Sequence, residues 1–383
     1  MLATELLQAV VSEVAAEADD LTDLLNLRLV NSTFSSLATP KVFQTIRVYF
    51  TNESAQRMVD FLKSSRLVQY LEEIEIYVEA EDSAWLMLAM PDGWIKILDQ
   101  GFQAFDMAPR LRTVLMTFPA NRDEGAMMSV EQDSMFQSIL LLGLATSMSI
   151  PTIPELILDN WISLASNKFI TGSRLRYMPP TTKLHIHTQR YVMARMGFND
   201  EIPLAFWKDT LPNYMLKPCT PVLTSLTISS DMLDGYGRHF DLSNVFFPFM
   251  IALSLDKVLF GNITNVEDFI ICHADSLETL KLLTCSVYTR GGNDEPNIRP
   301  WAHTWTRFAE ELHELRSITV DQFPKESGAG LGSMRYIFLT GYTQLLPEKD
   351  EFVDLDRDDI ALDALRDVVK TRLHGERTIT ERA

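Results

Sequence analysis

Between residues 43 and 339 one spacing returns ten times: an apolar residue, two free positions, a second apolar residue, one free position and a third. The instances are Phe43/Ile46/Val48, Leu71/Ile74/Ile76, Leu111/Val114/Met116, Ile153/Leu156/Leu158, Thr181/Leu184/Ile186, Leu223/Leu226/Ile228, Met250/Leu253/Leu255, Leu277/Leu280/Leu282, Leu315/Ile318/Val320 and Met334/Ile337/Leu339. In an extended strand alternate side chains share a face, so the second and third members of each set point to one side and the residue between them to the other. The middle members lie 19 to 42 positions apart. Helical stretches fill several intervals, at 53–66, 94–107, 132–147, 203–210, 264–274 and 300–313. A strand, turn, helix and return cannot bury its apolar face alone, so neighbouring units must stack into one continuous core.

The Leu277 set runs on to Cys285 as L-x-x-L-x-L-x-x-C, and in this it resembles the strand of a leucine-rich repeat. The expected fold is therefore α/β: an irregular leucine-rich-repeat-like solenoid over residues 49–346, with parallel strands alternating with helices. Residues 347–383 read as a capping helix and tail, carrying Ile360, Leu362, Leu365, Val368, Val369 and Leu373. Acids at its start and Lys370, Arg372 and His374 near its end suit the helix dipole. Asp354, Asp356 and Asp358 imitate the opening of a calcium loop. The glycine expected sixth is Asp359 and the glutamate expected twelfth is Leu365, so they read as a solvated helix start.

Ahead of the first set, residues 4–16 read as an amphipathic helix capped by Thr4, and Thr22 and Ser32 are positioned to cap two more, the last limited by Pro40. About 45 residues cannot bury such wide apolar faces by themselves, because small units bury a low fraction of their surface. A partner or the following domain must cover the rest. Asp23 to Pro40 spell D-L-L-x-L-R-L-V-N-x-x-F-x-x-L-A-x-P, and with Leu2 to Val11 the stretch resembles an F-box of the type common in fungal proteins. The resemblance implies a three-helix unit over residues 1–48 that binds a Skp-type adaptor and, through it, a cullin. It implies that Leu2, Leu6, Leu7, Leu24, Leu27, Val30 and Phe34 face the adaptor. The repeats would then select the protein to be ubiquitinated, making the chain the substrate-recognition subunit of an SCF-type ligase. The alternative is a repeat scaffold that binds a protein partner without any ligase.

The solenoid expectation also supplies a substrate surface, made by residues between the apolar members of each set: Tyr77, Leu115, Ile157, His185, His187, Lys281, Leu283 and Phe338, with Arg47, Tyr49, Glu75 and Asp159 beside them. The apolar members Leu115, Ile157, Leu283 and Phe338 either contact a partner or lie beneath a loop. His185 and His187 share a strand face, as two metal ligands would, but no third ligand can be named. No G-x-S-x-G elbow, H-E-x-x-H helix or P-loop occurs, and neither catalytic residues nor a cofactor are expected.

The net charge of −18 disfavours nucleic acid and anionic lipid as partners. Three scattered cysteines form neither a disulfide framework nor a zinc site. With no secretory leader and no apolar window of membrane-spanning length, the cytoplasm or nucleus is the expected compartment.

Overall fold

A computed structural model of the chain describes residues 4–17, 21–78, 92–119, 127–147, 152–163, 178–189, 205–231, 241–261, 264–291, 299–321, 335–340, 344–348 and 353–380. Three helices come first: α1 (Thr4–Glu17), α2 (Thr22–Val30) and α3 (Ser32–Val42). Two of the expected caps move. Thr22 lies inside α2, whose N-cap position is Leu21 without a side-chain bond. The cap of α3 is Asn31, not Ser32: its extended backbone lets the side-chain oxygen accept the Phe34 N–H at 2.9 Å. Nor does Pro40 end α3, which runs on to Val42. In the last turn the missing N–H frees only one carbonyl, that of Ser36, so the helix loses a single hydrogen bond there.

The recurring apolar sets become strands β1 (Thr45–Tyr49), β2 (Glu73–Tyr77), β3 (Thr113–Thr117), β4 (Ile153–Ile162), β5 (Thr181–Gln189), β6 (Ser225–Ser230), β7 (Ala252–Asp256), β9 (Thr279–Leu283) and β11 (Ser317–Asp321). They form one nine-stranded sheet in which each set lies beside the next. Every pairing is parallel. The register explains why the spacing is so constant. Ile46, Ile74, Val114, Leu156, Leu184, Leu226, Leu253, Leu280 and Ile318 form one row across all nine strands, and Val48 through Val320 form the next. A one-residue slip would turn both rows out of the core.

Helices return the chain between strands: α4 (Asn52–Leu62), α5 (Trp94–Gln103), α6 (Met127–Ser147), a π-type helix α7 (Phe206–Leu216), α8 (Val266–Ile271) and α9 (Trp301–Glu311). They pack on the apolar rows through Met58, Trp94, Phe102, Phe136, Trp207, Phe269 and Trp305, all buried. Strand β1 is already part of this sheet, so it straddles the domain boundary expected at residue 48.

A second layer appears toward the C-terminus. Strands β8 (Leu259–Phe260), β10 (Ser286–Gly291), β12 (Tyr336–Thr340) and β13 (Gln344–Pro347) form a separate four-stranded sheet. The chain reaches β8 and β10 by turning sharply at Lys257 (φ 57°) and Thr284 (φ 48°), each directly after a strand of the large sheet. The tenth apolar set therefore departs from expectation: β12 pairs with β10 and antiparallel with β13, not with β11. Met334, its first member, lies outside the described residues.

The last helix, α10 (Leu355–Thr380), packs on α9. Asp354 stands at its start as the sequence suggests, accepting the Arg357 N–H at 3.0 Å, but two other charged residues serve α9. Asp358 is buried and serves α9: its Oδ1 accepts the Ala302 N–H at 2.7 Å and its Oδ2 accepts the Tyr336 hydroxyl at 2.6 Å. At the other end of α9, Arg372 donates to the carbonyls of Ala309 (2.8 Å) and Leu312 (2.6 Å). Among the described residues no helix is long and apolar enough to cross a membrane.

Candidate functional site

The N-terminal helices enclose a small core of their own, Val11, Leu24, Ala38 and Val42, with Leu27, Phe34 and Phe43 packed at its edge. Phe43 joins it to the rest of the protein, since its ring lies 5.6 Å from Phe61 of α4 and carries the Arg28 guanidinium at 4.9 Å. Outside this core several aliphatic side chains of α1 and α2 are exposed. Leu29 is 85% exposed, Val30 63% and Leu6 55%, with Val10 and Leu25 also exposed. Leu6/Val10 and Leu25/Leu29 are each four residues apart, so each pair shares one face of its helix.

Of the positions expected to face an adaptor, Leu6 and Val30 are therefore on the surface, while Leu7, Leu27 and Phe34 are half-buried. Leu24 is 2% exposed and belongs to the core, because helix packing turns it toward Val11 and Ala38. Leu2 lies outside the described residues. Val10, Leu25 and Leu29 are exposed as well, although the resemblance does not assign them to the adaptor. The (i, i+4) spacing was the available signal, but apolar residues cover most of α2 and conceal which side faces out.

The second surface is the face of the large sheet opposite the apolar rows. Three rows of side chains cross β1 to β5 in register. The first is Thr45, Glu73, Thr113, Glu155 and Lys183; the second is Arg47, Glu75, Leu115, Ile157 and His185. The third starts Tyr49, Tyr77, Thr117 and Asp159, after which a bulge in β4 shifts the register. Tyr49 and Tyr77 stack with ring centres 5.8 Å apart. Glu75 accepts from Arg47 Nε (2.9 Å) and from the Tyr77 hydroxyl (2.9 Å). Burial and this hydrogen bond push the Tyr77 phenol up to about 12. His185 Nε2 lies 3.0 Å from Glu155 and His187 Nδ1 lies 2.8 Å from Asp159. Burial, then the neighbouring charges of Glu75 and Glu155, raise Glu73 above the ordinary carboxylate range.

The expected substrate residues thus fall into two groups. Tyr77, Leu115, Ile157, His185 and His187 are brought together on β2 to β5, while Lys281 and Leu283 lie on the same face three strands from β5 at β9. Phe338 is not on this face, because its strand belongs to the second sheet and it pairs there with Leu346. Ser229 is in register with His187, but no hydrogen bond links the two, so Asp159, His187 and Ser229 do not form a proton relay. Among the described residues no three histidine, cysteine or carboxylate side chains converge as metal ligands. A groove of about 700 Å³ runs between α9 and α10, with Ala302, Ile360, Ala361 and Ala364 along it and Arg357, His303 and Glu310 at its rim. Compared with known proteins, the chain matches no family model and no curated sequence.

Proposed function

We propose that this chain is the substrate-recognition subunit of an SCF-type ubiquitin ligase, in which α1 to α3 act as an F-box and the sheet face of a leucine-rich-repeat-like solenoid holds the substrate. The observation that carries the reading is the exposure of five aliphatic side chains, Leu6, Val10, Leu25, Leu29 and Val30, outside a small core of the same helices. Solvent-exposed aliphatic residues grouped in this way mark a protein contact. The sequential parallel sheet, nine strands wide, supports the second half of the reading by offering an extended face for a partner. The chain itself breaks no bond. It holds a substrate near a charged ubiquitin carrier and so raises its effective concentration.

Co-purification with a co-expressed Skp-type adaptor tests this. Replacing Leu29 and Val30 by glutamate removes two exposed side chains whose burial is worth about 1.5–3 kcal/mol each, so adaptor affinity should fall about 100-fold or more. The urea midpoint of the free chain should stay unchanged, because neither residue is in a core. Retained adaptor binding by L29E/V30E would overturn the assignment. Leu24→Ala is unsuitable for this purpose, since truncating a buried leucine costs about 2–5 kcal/mol of stability and would unsettle the three helices whatever they bind.

A further inference from the structure

On the exposed face of β4, alternate residues read Glu155, Ile157 and Asp159. Successive side chains on one face of a strand stand about 7 Å apart, so an aliphatic side chain sits between two carboxylates at the same repeat as an extended peptide. The neighbouring strand widens the apolar part, since Leu115 is in register with Ile157. Beyond it, β2 adds Glu73, in the same row as Glu155, and Tyr77, in the same row as Asp159. Across β1 to β5 these rows hold four carboxylates, Glu73, Glu75, Glu155 and Asp159, against two permanent cations, Arg47 and Lys183. Arg47 is committed to Glu75. Glu155 and Asp159 are met by the imidazoles of His185 and His187 rather than by Lys or Arg side chains. Burial, and only after it the charges of Glu75 and Glu155, raises the Glu73 carboxyl.

Resting on the reading of this face as the substrate surface, we propose that the partner presents an extended segment of the form basic-x-apolar-x-basic. Its apolar side chain lies on Ile157 and Leu115, and its lysine or arginine residues two positions to either side reach Glu155 and Asp159. The stacked pair Tyr49 and Tyr77 offers a guanidinium an aromatic face at the same end as Asp159. Leu115 and Ile157, the aliphatic pair between Glu155 and Asp159, thereby acquire a contact.

Panning the full-length chain with a phage-displayed library of random heptapeptides tests the proposal. Wild-type protein should enrich peptides with Lys or Arg at both positions two removed from an aliphatic or aromatic residue. The charge-reversed variant E155K/D159K should enrich acidic residues at those positions. A synthetic consensus peptide should bind E155Q/D159Q about tenfold more weakly than wild type, the loss of two partly exposed charge pairs. Enrichment without basic flanks, identical selections on wild type and E155K/D159K, or an unchanged affinity for E155Q/D159Q would each overturn it. These variants should retain the adaptor, whereas L29E/V30E should retain the peptide. Loss of the peptide specificity alone therefore rejects the substrate class, and loss of adaptor binding in the wild type alone rejects the ligase reading.

Discussion

Replacing Asp358 by alanine should unfold the C-terminal end of the protein more readily than any other change to a charged residue of α10. Helix α9 begins after Pro300, which provides no side-chain cap, so its first N–H groups need acceptors from elsewhere. Tyr336 accepts the Trp301 N–H at 2.7 Å and Asp358 accepts the Ala302 N–H at 2.7 Å, while the Tyr336 hydroxyl donates to Asp358. D358A strands two buried donors, each costing about 1–3 kcal/mol. Part of that is recovered, because burial raises the Asp358 carboxyl above its ordinary value and its ionised form is already penalised in the fold. The net expectation is about 2–4 kcal/mol, read as a lower urea midpoint at pH 7. Y336F removes the acceptor for Trp301 and the donor to Asp358. The double variant should therefore cost less than the sum of the two single ones, since they share a bond. The pH dependence has a definite sign. A raised native value means that the fold binds this proton more tightly than the unfolded chain, so wild type should gain stability relative to D358N as pH falls through that raised value toward about 3.9. A loss below about 0.5 kcal/mol for D358A, or strict additivity with Y336F, would refute the shared cap.

A Cβ at Gly101 of α5 would overlap the Cε at the flexible end of buried Met58 and nothing else, so G101A should change stability by less than about 1 kcal/mol in urea titrations, Met58 turning aside while alanine favours the helix. His273 is buried, with Nε2 accepting the Phe247 N–H and Nδ1 against the Phe269 carbonyl, and burial lowers its pKa. The unfolded chain then takes up the proton first, so stability should decline as pH drops below about 6.5, and H273N should lack that part of the slope. Parallel pH profiles for the two proteins would exclude the histidine as its source.

The spacing of the apolar sets reveals nine strands of the large sheet because the same two rows must be filled on every strand, leaving little freedom in residue type or register. Ile46 to Ile318 is such a row, and even the weak Thr181/Leu184/Ile186 set falls into it. The tenth set satisfied the same pattern and lies in another sheet. A buried strand of any layer needs alternating apolar residues, and the turn that diverts the chain rests on positive φ at Lys257 and Thr284, residue types that do not announce it. Asp358 and Arg372 were legible as helix-end charges, but their partners belong to α9, and tertiary capping leaves no local spacing. Leu24 and Leu29 pose the same difficulty in reverse. Both are leucines on one helix, and only the packing of α1 and α3 decides that the first is core and the second is surface.

That division also weighs between the two readings of the N-terminal helices. A unit serving only to cover the end of a stack turns its apolar side toward the neighbouring strand, as α10 does when it packs Leu362, Leu365 and Val369 into the main core. The N-terminal helices do otherwise. Their core of Val11, Leu24, Ala38 and Val42 is separate from the main one, with Phe43 as the bridge to Phe61. Leu29 and Val30 point to solvent. For an end cap this arrangement leaves apolar surface wet. A docking unit needs all of it: its own core so that it keeps its shape, a bridge at Phe43 that fixes its position against β1, and exposed aliphatic side chains for the adaptor. In the proposed reading tethering depends on that fixed position, because the effective concentration of a substrate falls as the joint between two binding surfaces loosens.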